Sequence, residues 1–124
     1  KYAQAWSSWE NALASVHSSG QGGEAPGEYA RAFARLENHY FTNNGFLDQD
    51  GWIMAHVDRL RGIPGVIVQG RYDMICPPRA AWELARAWPE ADLRMIRNAG
   101  HALSEPGISA ELVRVMDQIA ALDR

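Results

Sequence analysis

Val66-Ile67-Val68 is apolar at three successive positions, every one β-branched, between Pro64-Gly65 and Gly70. A strand with one face in water alternates polar and apolar. A run that does not alternate asks for cover on both faces, the setting of a parallel sheet flanked by helices. Asp92 to Arg97 alternates well enough for a second strand. Between the two, a helix is predicted after Pro77-Pro78, since proline suits a first turn; it carries Ala81, Trp82, Leu84, Ala85 and Trp88 and stops at Pro89. After the turn Asn98-Ala99-Gly100-His101, Ser109 is placed to cap a last helix through Leu112, Val113, Met116, Ile119 and Leu122. The order strand–helix–strand–helix implies a right-handed parallel unit covered by helices, an α/β fold.

The first half reads differently. Tyr2, Trp6, Trp9, Leu13 and Val16 recur at helical spacing, as do Tyr29, Phe33, Leu36 and Tyr40 before Asn43-Asn44-Gly45. A third helix is predicted from about Asp50 to Leu60, using Trp52, Ile53, His56, Val57 and Leu60. Ser18 to Gly27 has no periodicity and reads as an exposed loop. Two parallel strands do not make a stable sheet by themselves. The chain, which starts at Lys1 rather than Met, is therefore expected to be the C-terminal part of a larger α/β protein; the alternative is a small α+β domain that pairs with itself.

Composition narrows the function classes. The formal net charge of the 124 residues is −3, which attracts neither nucleic acid nor an anionic membrane surface. No apolar run approaches the roughly 18 residues of a membrane span, and no signal-peptide pattern opens the chain. A single cysteine, Cys76, cannot form an internal disulfide, which suits a cytoplasmic protein; it reads as a small packed thiol. Glu37 and His39 lack metal-ligand spacing, and Gly20, Gly22 and Gly23 follow no strand, so neither a metal site nor a phosphate cradle is indicated. His17 and His56 read as surface or helix-face residues, and the five tryptophans as packing.

Chemistry concentrates where the strands end. Asp73, in Gly70-Arg71-Tyr72-Asp73, follows the first strand; His101, in Gly100-His101, follows the second. Both leave the carboxyl edge of a parallel sheet, where open α/β sheets place their sites. A carboxylate there would fix the imidazole tautomer and stabilise its protonated form during proton transfer. Taken singly, Asp73 reads better as a helix N-terminal charge and His101 as a satisfied loop histidine.

Together, and in this order, they resemble the last two members of the Ser, Asp, His triad of α/β hydrolases. Ile63 to Asp73, then Cys76-Pro77, Ala81-Trp82-Glu83-Leu84, Ala87-Trp88-Pro89 and Ala99-Gly100-His101 resemble the C-terminal half of proline iminopeptidases. Trp6-Ser7-Ser8-Trp9-Glu10 and Ala32 to Phe41, with its Glu-Asn-His-Tyr-Phe segment, resemble that family's cap helices. The resemblance implies residues 1–48 as part of a helical cap and 49–124 as the C-terminal part of an α/β-hydrolase core. It implies a serine aminopeptidase acting on peptides with N-terminal proline, without cofactor. Asp73 would orient His101, the general base and then acid. Glu10 and Glu37 would hold the substrate's free amino terminus, and Tyr40 and Phe41 would wall a pocket for the proline ring or serve as core.

The nucleophile is missing. No Gly-x-Ser-x-Gly elbow occurs among the seven serines. It is expected in a segment preceding Lys1, and the chain by itself is expected to be inactive. Its exposed strand edge should be covered by that segment or by self-association. Another α/β hydrolase, an epoxide hydrolase or esterase, and a non-catalytic interaction domain of the same fold are the competing readings.

Overall fold

The structure, a computed structural model, describes residues 1–16 and 26–122. They form two compact units. One gathers residues 1–12 and 26–56, the other 13–16 and 57–122. The expected loop and His17 lie outside the described residues up to Ala25, whereas Gly27 already opens a helix.

The first unit is helical. Helix α1 runs Tyr2–Ala14, ending two residues short of Val16, and α2 runs Gly27–Thr42. The end of α2 is tied off locally: Thr42 Oγ1 donates to the Asn38 carbonyl at 2.7 Å and Asn43 Nδ2 to that of His39 at 2.8 Å. Such bonds satisfy carbonyls that a helix end leaves over. Asn44, Gly45 and Phe46 then take positive φ, turning the chain away.

The single helix expected over 50–60 is broken. Helix α3 covers only Trp52–Ala55, and a separate 3₁₀ turn, Val57–Leu60, belongs to the second unit. His56 supplies the reason. Its Nδ1 lies 2.7 Å from the Trp52 carbonyl, with the ring stacked on the Trp52 indole at 4.2 Å. A continuing helix would give that carbonyl to the His56 N–H, which instead bonds the Ile53 carbonyl at 3.2 Å. The side chain has displaced its own backbone.

The second unit contains a two-stranded parallel sheet. Strand β1 is Gly65–Gly70 and β2 is Ala91–Ile96, in register from Gly65 against Ala91 to Gly70 against Ile96. Helix α4, Pro78–Ala87, packs on both strands, and α5, Pro106–Leu122, on β1. Trp88 caps α4 rather than continuing it; its indole N–H donates to the Ile63 carbonyl at 2.9 Å and its ring lies over Gly65, where a Cβ would stand 2.2 Å from it. Helix α5 starts at Pro106, three residues before the predicted cap Ser109, whose N–H already bonds the Glu105 carbonyl at 2.9 Å. Proline at a helix start loses no bond, so it competes well as the first residue. Arg94 then fastens β2 to α5, donating to Glu111 at 2.6 Å and Gln118 at 3.1 Å, while Arg114 also pairs with Glu111.

Burial departs from expectation in an informative way. Val66, Ile67 and Val68 are half-buried, not sealed on both faces. Each strand has one hydrogen-bonded neighbour and one open edge among the described residues. Among the described residues, the buried hydrophobic side chains are Ala30, Ala99, Ile108 and Val115. Trp6, Trp9 and Trp82, expected as packing, are exposed, and so is the Cys76 thiol. Among the described residues, each unit by itself has too few layers to cover its apolar stripes. Among the described residues, no helix is long and apolar enough to cross a membrane.

Candidate active site

The carboxyl ends of β1 and β2 meet through their backbones. Arg71 N–H donates to the Ile96 carbonyl and Tyr72 N–H to that of Ala99, both at 2.9 Å. Gly70 permits this closeness: a Cβ on it would lie 1.9 Å from the Gly100 carbonyl oxygen, an impossible contact. Backbone therefore sets the spacing of the two loops.

Asp73 hangs from the first loop and is 6% exposed. Its Oδ1 accepts the N–H groups of Ile75 at 3.0 Å and Cys76 at 2.7 Å. Its Oδ2 accepts Gln69 Nε2 at 3.1 Å and faces His101 Nδ1 at 3.0 Å. A carboxylate is acceptor only, so this last bond assigns the proton to Nδ1 and leaves Nε2 as the imidazole's free base. The His101 side chain is 42% exposed. An imidazole anchored on one nitrogen and open to solvent is arranged to move protons. Asp73 and His101, predicted from sequence order, are thus in direct contact. Gln69 was not foreseen, although it is the one polar residue in the strand Gly65–Gly70.

The other predicted residues belong to the helical unit. Glu10 on α1 and Glu37 on α2 are both half-buried. Trp6 Nε1 donates to Glu37 Oε2 at 2.6 Å, and the Trp6 ring meets Phe41 edge-on at 6.5 Å. Glu10 lies one turn beyond Trp6 on the same helix. Phe41 lines an open groove of about 670 Å³ with Tyr2, Trp6 and Arg35. Tyr40, one residue along the helix, is not part of that groove; its ring packs against Phe46 at 5.4 Å. Both aromatics are more than half exposed, so neither is core. Trp6 is the residue that sequence reasoning missed here; its place one turn before Glu10 was the available signal. Among the described residues, no cluster of three His, Cys, Asp or Glu side chains could hold a metal.

No family model matches the chain. Curated proteins do. It is 45% identical over 122 residues to a proline iminopeptidase of Arabidopsis thaliana, covering 97% of this chain and 32% of the relative. Over nearly its whole length the chain is a relative of the proline iminopeptidases. A Xanthomonas citri proline iminopeptidase is 43% identical over 120 residues, covering 95% of this chain and 38% of the relative. One from Neisseria gonorrhoeae is 45% identical over 118 residues, 94% of this chain and 37% of the relative. The chain thus spans about a third of the length of the proline iminopeptidases it matches.

Proposed function

We propose that the chain is the C-terminal part of a serine aminopeptidase that releases N-terminal proline from peptides. The observation that carries this is the Asp73–His101 bond of 3.0 Å at the carboxyl ends of two parallel strands, in a relative of proline iminopeptidases. On this reading the fold is the C-terminal part of an α/β hydrolase, with residues 1–48 in the cap and 49–124 in the core. The rest of the protein, N-terminal to this chain, supplies the serine elbow and its oxyanion donors. A cytoplasmic location belongs to the same reading, since a single cysteine cannot form an internal disulfide.

The chemistry then runs in two halves. The serine oxygen attacks the prolyl carbonyl while His101 Nε2 takes its proton; the shortened peptide leaves as an amine carrying that proton, and proline remains as an ester on the serine. Water attacks the ester, again losing a proton to Nε2, and proline departs as the serine recovers its hydrogen. Asp73 holds the Nδ1–H tautomer and stabilises the imidazolium in both halves. Glu10 and Glu37 meet the secondary ammonium of the proline, and Phe41 with Tyr40 borders its ring. Trp6, by donating to Glu37, would hold that carboxylate in one orientation.

The test is direct. Full-length protein releases proline from Pro-X peptides and is labelled by a serine-directed phosphonate. The 124-residue chain does neither, because nothing in it forms the acyl-enzyme. Proline release by the purified 124-residue chain would overturn the assignment of the nucleophile to the missing part.

The open edges of β1 and β2 and the exposed Trp6, Trp9 and Trp82 support a second expectation. Surfaces of this kind seek partners. In the complete protein the N-terminal part covers them; the isolated chain self-associates instead. Light scattering should report a dimer or larger, and a stable monomer would refute this.

A further inference from the structure

One buried carboxylate has no place in the chemistry above. Glu105 lies between the His101 loop and α5 and is 2% exposed. Its Oε1 accepts Ser15 Oγ at 2.5 Å and the Val16 N–H at 2.6 Å. The residue before these two is fastened to the same loop: the Ala14 carbonyl accepts the N–H groups of both His101 and Ala102 at 2.7 Å. Gly100 completes the closeness, since a Cβ there would stand 2.8 Å from the Ala14 oxygen. Residues 14–16 are therefore clamped between His101's own backbone at one end and Glu105 at the other.

The oxygen matters as an acceptor: donors that are deprived of their acceptor where water cannot replace it are costly. Without Glu105, Ser15 and Val16 lose the acceptor that fixes them, and the Ala14 carbonyl is free to shift. The His101 N–H follows that carbonyl, and the imidazole follows the backbone.

We propose that Glu105 is a positioning residue for His101. Holding Ser15 and Val16, it fixes the carbonyl under His101 and so sets the line along which Nδ1 meets Asp73. This rests on the reading of His101 as the general base.

The experiment uses the full-length protein. Glu105→Ala is expected to lower kcat for Pro-X peptides about 10–100-fold, the scale of a misplacement near 1 Å, with KM changed less than about twofold. The low-field proton resonance of the Nδ1–H···Oδ2 bond should weaken or move upfield, a change that a merely stabilising carboxylate would not cause. Folded Glu105→Ala with wild-type kcat and an unmoved resonance overturns the proposal. If Glu105→Ala does not fold, Ser15→Ala is read instead: a kcat loss of at least about threefold with the same spectral change supports the clamp, and a folded variant without them overturns it. His101→Ala, run in parallel, separates the two readings. Retained activity there removes His101 as base; its loss beside an unchanged Glu105→Ala removes only the clamp.

Discussion

Replacing His101 with Ala in the full-length protein should reduce proline release by about six orders of magnitude, the scale on which serine hydrolases respond to loss of the base. Asp73→Asn should cost about four. The difference follows from the geometry. His101 moves the protons itself, while Asp73 acts through the tautomer. Asparagine can still accept the Ile75 and Cys76 N–H groups on its oxygen, but then turns an NH₂ toward His101 Nδ1, which favours the opposite tautomer. Asp73→Ala is the poorer probe. It strands the part-buried N–H groups of Ile75 and Cys76, each costing about 1–3 kcal/mol, so lost folding would mix with lost chemistry. Circular dichroism with kcat measured on the folded fraction distinguishes them. Residual activity above about a tenth in either His101→Ala or Asp73→Asn removes that residue from the mechanism.

Glu37→Gln and Glu10→Gln should damage only substrates with a free amino terminus. A desolvated ammonium that loses one carboxylate partner costs about 3–5 kcal/mol, or roughly two to three and a half orders of magnitude in kcat/KM. Glutamine preserves an acceptor for the Trp6 indole, so the helical pair is left in place. A neutral ester without an amine should be hydrolysed within about threefold of wild type. Equal losses on both substrates would make the two glutamates structural and favour an esterase.

The contrast between what was readable from sequence and what was not is physical. The strand Val66–Val68, the proline start of α4 and the second strand follow from patterns within a few residues of each other, and the Asp73–His101 contact from the place of each residue just past a strand end. The break at His56 does not, because a side chain captured a carbonyl that helical periodicity assigns to the backbone. The exposure of Trp6, Trp9 and Trp82 was equally hidden. Amphipathic spacing says which face is apolar, and nothing about whether a third layer exists to cover it. Gln69 and Glu105 were missed since a polar residue declares its role only when its bonding partners are known. Those of Glu105 lie at the far end of the chain.

That distance bears on how the protein comes to be folded. The second unit is discontinuous: the Ala14 carbonyl must find His101 and Ser15 must find Glu105, a partner 90 residues away. Pairings so remote in sequence close late and slow the overall rate. During synthesis at 5–20 residues per second, Ser15 would wait roughly 5–20 s before its acceptor emerged. The histidine loop is thus among the last parts to settle, well after the helices on either side could form. Competence for proton transfer would arrive with the closing of the chain upon itself, and a nascent protein released before residue 105 would hold its strands without a fixed base.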